Sequence, residues 1–136
     1  MNVLMSIRPE FVEKIVSGEK KYEFRRKIFK KDVKNVLIYS TAPDKMIVGY
    51  FELEQVLEDT PQRLWDSCQD FAGITEKDYF EYFSGSSTGF ALQIGRLTLF
   101  KYPIQVTKIL EGFRPPQSFQ YVDEELFGRL CFIGSL

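Results

Sequence analysis

Histidine is absent from all 136 residues. That removes Ser/His and Cys/His nucleophile pairs, the usual general base near neutral pH, and every metal site that needs an imidazole. Only two cysteines are present, Cys68 and Cys131. They are too few for a structural zinc site and too far apart to read as a disulfide framework, so two free thiols in a reducing compartment are expected. No metal and no cofactor are expected. Long apolar runs are also missing: no stretch approaches the roughly 18 residues of a membrane-spanning helix. The opening "MNVLMSIRPEF" has no basic leader, and Arg8 and Pro9 break its apolar run. A signal peptide is not expected, and a cytoplasmic location is.

Aromatic residues, by contrast, are plentiful: 13 Phe, 7 Tyr and one Trp, or 15% of the chain. Such side chains fit pleated, half-buried surfaces and point to a sheet-rich core. The length suits a single domain spanning residues 1–136. The net charge of −1 conceals an asymmetry. Residues 8–34 hold ten Lys/Arg against five acids, and residues 50–82 hold nine acids against two bases. A pI near 5.6 argues against bulk electrostatic binding of DNA, but a local basic stripe can still hold a few phosphates.

Periodicity divides the chain. "VLMSI" (3–7) is a short strand. Pro9 suits the first turn of a helix over 9–17, with Phe11, Val12, Ile15 and Val16 on one face and Gly18 just past its end. From Lys21 the period becomes two, placing Tyr22 and Phe24 on one strand face and Lys21, Glu23, Arg25 and Lys27 on the other. Strands follow at 34–41 and 46–58, the two forming a hairpin around "APDK". Thr60-Pro61 opens one helix, Thr75 with Asp78 caps a second, and 90–100 returns to strand. The tail reads as strand pieces and loop. The order is α+β, with a mixed, barrel-like sheet. Trp65, Tyr79, Phe80, Tyr82 and Phe83 have helical spacing and are expected in the core, not on a stacking platform.

Three stretches could carry chemistry. In Gly18-x-Lys20-x-x-Glu23-x-Arg25, the glycine lets the chain turn sharply off the helix so that Lys20 projects beside the strand. Glu23 and Arg25 then point the same way and combine a carboxylate with a guanidinium fork. The bland alternative is a surface ion pair worth about 0.2–1 kcal/mol. In "YSTAP" (39–43), the Ser40 and Thr41 hydroxyls could meet a phosphate or a base edge, or merely satisfy a turn. In "PPQSFQY" (115–121), Gln117 and Ser118 could close over a site, or Phe119 and Tyr121 could cap the barrel end.

"LMSIRPEFVEKIVSGEKKYEFRR" resembles the start of an ASCH domain, within the PUA-like superfamily. The family's G-x-K-x-x-E-x-R signature is matched at Gly18, Lys20, Glu23 and Arg25. "NVLIYSTAP", "IVGYFELEQVLE" and "PPQSF" are similar to the longer prokaryotic members, described as predicted transcriptional regulators. The resemblance implies a small mixed β-barrel with helices packed over it, and a cleft that takes RNA or a nucleotide-like ligand. On that basis Lys20, Arg25 and Arg8 would meet phosphates, Glu23 would pair with a base, and Ser40, Gln117 and Ser118 would complete the walls. The first functional reading is a binding module. The alternative is a hydrolase, a ribonuclease or nucleoside amidohydrolase, with Lys20 and Glu23 as its acid/base pair. The amidohydrolase type carries threonine where this chain has Glu23, so its mechanism does not transfer. A third reading gives the acidic helices within 60–83 a protein partner.

Overall fold

The protein is described from a computed structural model that covers residues 1–108 and 111–135. Six strands and four helices alternate along it: β1 (Asn2–Ile7), α1 (Pro9–Ser17), β2 (Tyr22–Arg25), β3 (Asn35–Ser40), β4 (Met46–Asp59), α2 (Pro61–Cys68), α3 (Glu76–Tyr82), β5 (Gly89–Ile104), β6 (Phe119–Val122) and α4 (Glu124–Ser135). All six strands form one mixed sheet in the order β2-β5-β4-β3-β1-β6, with β1 parallel to β3 and the other pairs antiparallel. The sheet curls into a half-barrel with the helices around it, which is the expected α+β architecture. No helix among the described residues is long and apolar enough to cross a membrane.

Local chemistry accounts for most of the boundaries. Pro9 occupies the first turn of α1, and Gly18 ends it in the left-handed region at φ 87°, its N–H bonded to the Ile15 carbonyl at 3.2 Å. Only glycine adopts that angle without strain. The Thr60 and Thr75 hydroxyls accept the N–H groups of Arg63 and Asp78, so both expected caps are present. Val12 and Ile15 of α1 are buried as expected, but Val16 is exposed. The helix rests on the sheet along a narrower stripe than its sequence offers.

Because β1 and β3 are covered on both faces, they are apolar almost throughout. Val3, Met5, Ile7, Val36, Ile38, Phe51 and Leu92 pack beneath α1 and the 26–34 loop. Leu4, Leu37, Ile47, Phe100 and Leu130 form a second core under α4. Leu64 and Trp65 of α2, Tyr79 of α3 and Phe83 just past its end close on Phe24 and Ala91 to make a third. Trp65 and Tyr79, with ring centroids 4.8 Å apart, are therefore core residues.

The tail departs from expectation. Residues 101–104 extend β5 instead of starting a new strand, and 124–135 is a helix, not loop. Gly128 and Gly134 lower its helical propensity by about 1 kcal/mol each. Packing overrides that cost: Leu130 is buried, and Phe127 meets Tyr50 edge-on at 5.0 Å. The one legible signal was Asp123, whose carboxylate accepts the Leu126 N–H at 2.8 Å. Leu130→Ala is expected to cost about 2–5 kcal/mol of unfolding free energy, measured by urea denaturation. A loss below about 1 kcal/mol would mean that α4 is not an integral part of the core.

Candidate functional site

The segment from Gly18 to Arg25 changes direction twice within eight residues. After Gly18, the Lys20 N–H bonds back to the Lys14 carbonyl at 3.0 Å and the Lys21 N–H to Phe71 at 2.9 Å. These bonds press Lys20 inward, under the turn that follows α2. Its side chain is 3% exposed, and Nζ donates to the Ala72 carbonyl at 2.9 Å. Gly73, at φ 64°, makes room for this: a Cβ there would overlap the Lys20 side chain. The Phe11 and Phe24 rings flank the ammonium, with centroids 5.2 and 5.0 Å from Nζ. Such ring faces stabilise a desolvated cation.

Glu23 joins two cations. Its Oε1 lies 3.6 Å from Lys20 Nζ, an ion pair without a direct hydrogen bond, and its Oε2 accepts from Arg25 Nη2 at 2.7 Å. All three side chains are largely shielded from water, Arg25 being the most exposed at 13%. The surface ion pair considered from spacing alone is therefore excluded: this is a buried triad. Burial pushes the Lys20 ammonium below its ordinary value; Glu23 opposes that shift, and Arg25 and Lys14 add to it. The buried Cys68 thiol nearby is pushed up to about 11 despite the Lys20 charge. It stays protonated near neutral pH and is no nucleophile.

Arg25 has a further task. Nη2 also donates to the Ser6 carbonyl at 2.8 Å and Nη1 to Ser118 Oγ at 3.3 Å, while Nε is buried without a partner among the described residues. Ser6 in turn donates through Oγ to the Pro116 carbonyl at 2.6 Å. The guanidinium at the β2 edge thus reaches β1 and the approach to β6 at the opposite edge. Most of its fork is committed inside the protein, which leaves less for a phosphate than the sequence promised.

Above the triad opens a cleft of about 770 Å³, with Lys20, Glu23 and Arg25 among its lining residues. Arg8 and Gln117 line it too; Arg8 is exposed and paired with Glu10 at 3.3 Å. Lys14 supplies a fourth base, and Glu10, Asp78 and Glu81 join Glu23 as acids, so four bases face four acids. Ser118 supports Arg25 from behind and is not on the cleft wall. Ser40 does not line this cleft. It is fully buried and donates to Asp44 Oδ2 at 2.8 Å, because the 41–44 turn folds that carboxylate back over it, and Thr41 lines the cleft in its place. Sequence reasoning named the Thr41 hydroxyl but missed Ser6, Asp78, Glu81 and the Ala72 carbonyl. It also placed Tyr82 wholly in the core, although this half-buried ring lines the cleft. No group of three or more His, Cys, Asp or Glu side chains among the described residues is placed to hold a metal ion.

Residues 5–100 match the model of the ASCH domain. Over 135 residues the chain is 33% identical to an ASCH domain-containing ribonuclease of Zymomonas mobilis, covering 97% of this chain and 91% of that protein. The crystal structure of ASCH from Zymomonas mobilis has a TM-score of 0.89 at 31% identity, covering 97% of this chain and 94% of that one. A 90-residue stretch is 29% identical to large ribosomal subunit protein uL22 of Ureaplasma parvum, covering 66% of this chain and 29% of that protein.

Two outcomes follow from the triad. Glu23→Ala leaves two cations buried without their counter-charge and is expected to cost about 3–5 kcal/mol by chemical denaturation. The second outcome concerns pH. The folded-state pKa of Lys20 lies below the unfolded value of 10.5, so between the two the unfolded chain binds more protons. Stability from this group therefore rises with pH across that window. Subtracting the stability–pH profile of Lys20→Met from that of the wild type should leave this rise, and a flat difference would contradict the burial of a titrating ammonium.

Proposed function

This chain belongs to the ASCH domain family, and on that premise we propose that it binds single-stranded RNA in the cleft and cleaves it there, with Lys20 as the proton-transferring group. The observation that carries this reading is a buried lysine on the cleft wall, pushed toward its neutral form and held against Glu23. Its kinship with a protein named a ribonuclease supports the same direction. A neutral Lys20 amine accepts the proton of a ribose 2′-hydroxyl; that oxygen attacks the adjacent phosphorus, the bond to the 5′-oxygen breaks, and that oxygen takes a proton from water, while the Lys20 ammonium returns its proton to solvent to complete the cycle. The products are a 2′,3′-cyclic phosphate end and a free 5′-hydroxyl. Glu23 keeps Lys20 in place and favours the ammonium that forms. Arg25, whose Nη1 donates only to Ser118 and so keeps one free N–H, faces the charge that develops on the phosphorane.

A second reading, binding without turnover, is favoured by one observation. Lys20 Nζ and both terminal nitrogens of Arg25 already hold partners inside the protein.

Incubation with an unstructured RNA oligonucleotide separates the two. If the protein cleaves, Lys20→Met lowers the rate about 10²–10⁴-fold, the usual contribution of a positioned acid/base group. The wild-type rate should climb with pH as Lys20 loses its proton, at pH values below 10.5. Cleavage that survives Lys20→Met in a folded variant would refute the catalytic assignment. Binding without any turnover in the wild type would establish the second reading.

A further inference from the structure

The cleft cannot attract a polyanion by net charge, because its four bases and four acids cancel. Two of those bases, Lys20 and Arg25, share Glu23 as their direct ion-pair partner and are committed to it. The attraction must come from elsewhere on the surface, and one segment is built for it. Residues 26–34, between β2 and β3, carry Arg26, Lys27, Lys30, Lys31 and Lys34 against the single acid Asp32. All five cations are exposed.

Although irregular, this segment is pinned. Phe29 and Val33 are buried in the core beneath the sheet, Phe29 meeting Phe119 edge-on at 5.7 Å. The Tyr82 hydroxyl accepts the Arg26 N–H at 3.1 Å, and the Tyr121 hydroxyl accepts those of Lys30 and Lys31 at 2.9 and 3.3 Å. Alternation between anchored apolar residues and exposed cations holds the charges outward as a fixed strip. The strip also has a defined course. Its first member, Arg26, lies 4.8 Å over the ring of Tyr82, which lines the cleft. Lys31 lies 4.8 Å over the ring of Tyr121 on β6. The line of cations therefore starts at the cleft rim and crosses the seam between the two sheet edges.

We propose that the 26–34 segment is an RNA exit track: the sugar–phosphate backbone of a strand seated in the cleft continues over Arg26, Lys27, Lys30 and Lys31 toward Tyr121. This rests on the reading of the cleft as an RNA site. Single-stranded RNA fits better than an acidic peptide because a tyrosine ring stands beside the cations at each end of the strip. The Arg26 guanidinium laid on Tyr82 offers a plane on which a base can stack, and the exposed edge of Tyr121 offers apolar contact at the far end, while the lysines take phosphates.

The test compares a long unstructured RNA oligonucleotide with a dinucleotide, on the wild type and on the triple variant Lys27→Ala, Lys30→Ala, Lys31→Ala. Removing one phosphate-binding cation lowers the salt dependence of single-strand binding by about 0.7 in the slope of log K against log salt. On that scale the triple variant should lose about 2 slope units for the long oligonucleotide by fluorescence anisotropy. It should also raise KM for the long substrate while handling the dinucleotide as the wild type does, and the corresponding triple Lys→Arg variant should restore the slope. RNA cleavage or binding with an unchanged slope would overturn the track and leave the cleft reading intact. A wild type that binds no RNA would overturn both, and binding of polyglutamate through the same three lysines would reassign the strip to acidic protein partners.

Discussion

A single carboxylate, that of Glu23, holds two cations in a place nearly closed to water. Desolvating three charges costs several kcal/mol apiece, and Coulomb attraction recovers this only where the geometry is good and the remaining donors are satisfied. Here the arrangement comes close to that. Lys20 has the Ala72 carbonyl and two ring faces, and Arg25 has the Ser6 carbonyl and Ser118 Oγ. Only Arg25 Nε is left over among the described donors of the triad. A cluster so expensive to bury marks the cleft as the place where this fold concentrates its electrostatic strain.

The triad also closes the architecture. In the sheet order β2-β5-β4-β3-β1-β6, β2 and β6 are the edges, and no ladder joins them among the described residues. Exposed edges invite pairing with other chains. In this molecule the gap is spanned by side chains instead: Arg25 to Ser6 and Ser118, Phe29 to Phe119, and Tyr121 to the backbone of Lys30 and Lys31. The residues that form the cleft wall are thus among those that hold the half-barrel curled. Cleft and fold share one set of bonds, so substitutions at Glu23 or Arg25 are bound to disturb both.

Charge is distributed with a consistent logic. The cleft itself is balanced, the strip at 26–34 is basic, and the stretch 50–82 that includes α2 and α3 is acidic. A balanced cleft discriminates by local hydrogen bonding, whereas the strip acts at longer range and is screened by salt.

Much of the local structure was legible. The caps at Thr60 and Thr75, the stop at Gly18, the alternation from Tyr22 to Arg25 and the apolar character of β3 each depend on neighbours within a few positions. The motif itself could be read for the same reason, since its spacing sets which side chains share a strand face. The terminal helix was not legible, because Gly128 and Gly134 weaken its local signal and only contact with Tyr50 and Phe100 supplies what they remove. Nor was the fate of Ser40, taken by a carboxylate four residues on. The sequence by itself determined which groups this protein has to work with: no imidazole, and a lysine, a glutamate and an arginine at fixed spacing. Only the tertiary structure decided that they would be buried together and partly spent on the fold, because their partners Ala72, Ser6 and Ser118 lie 52, 19 and 93 residues away. Contacts at such separations are set by how the sheet curls, which no local pattern encodes.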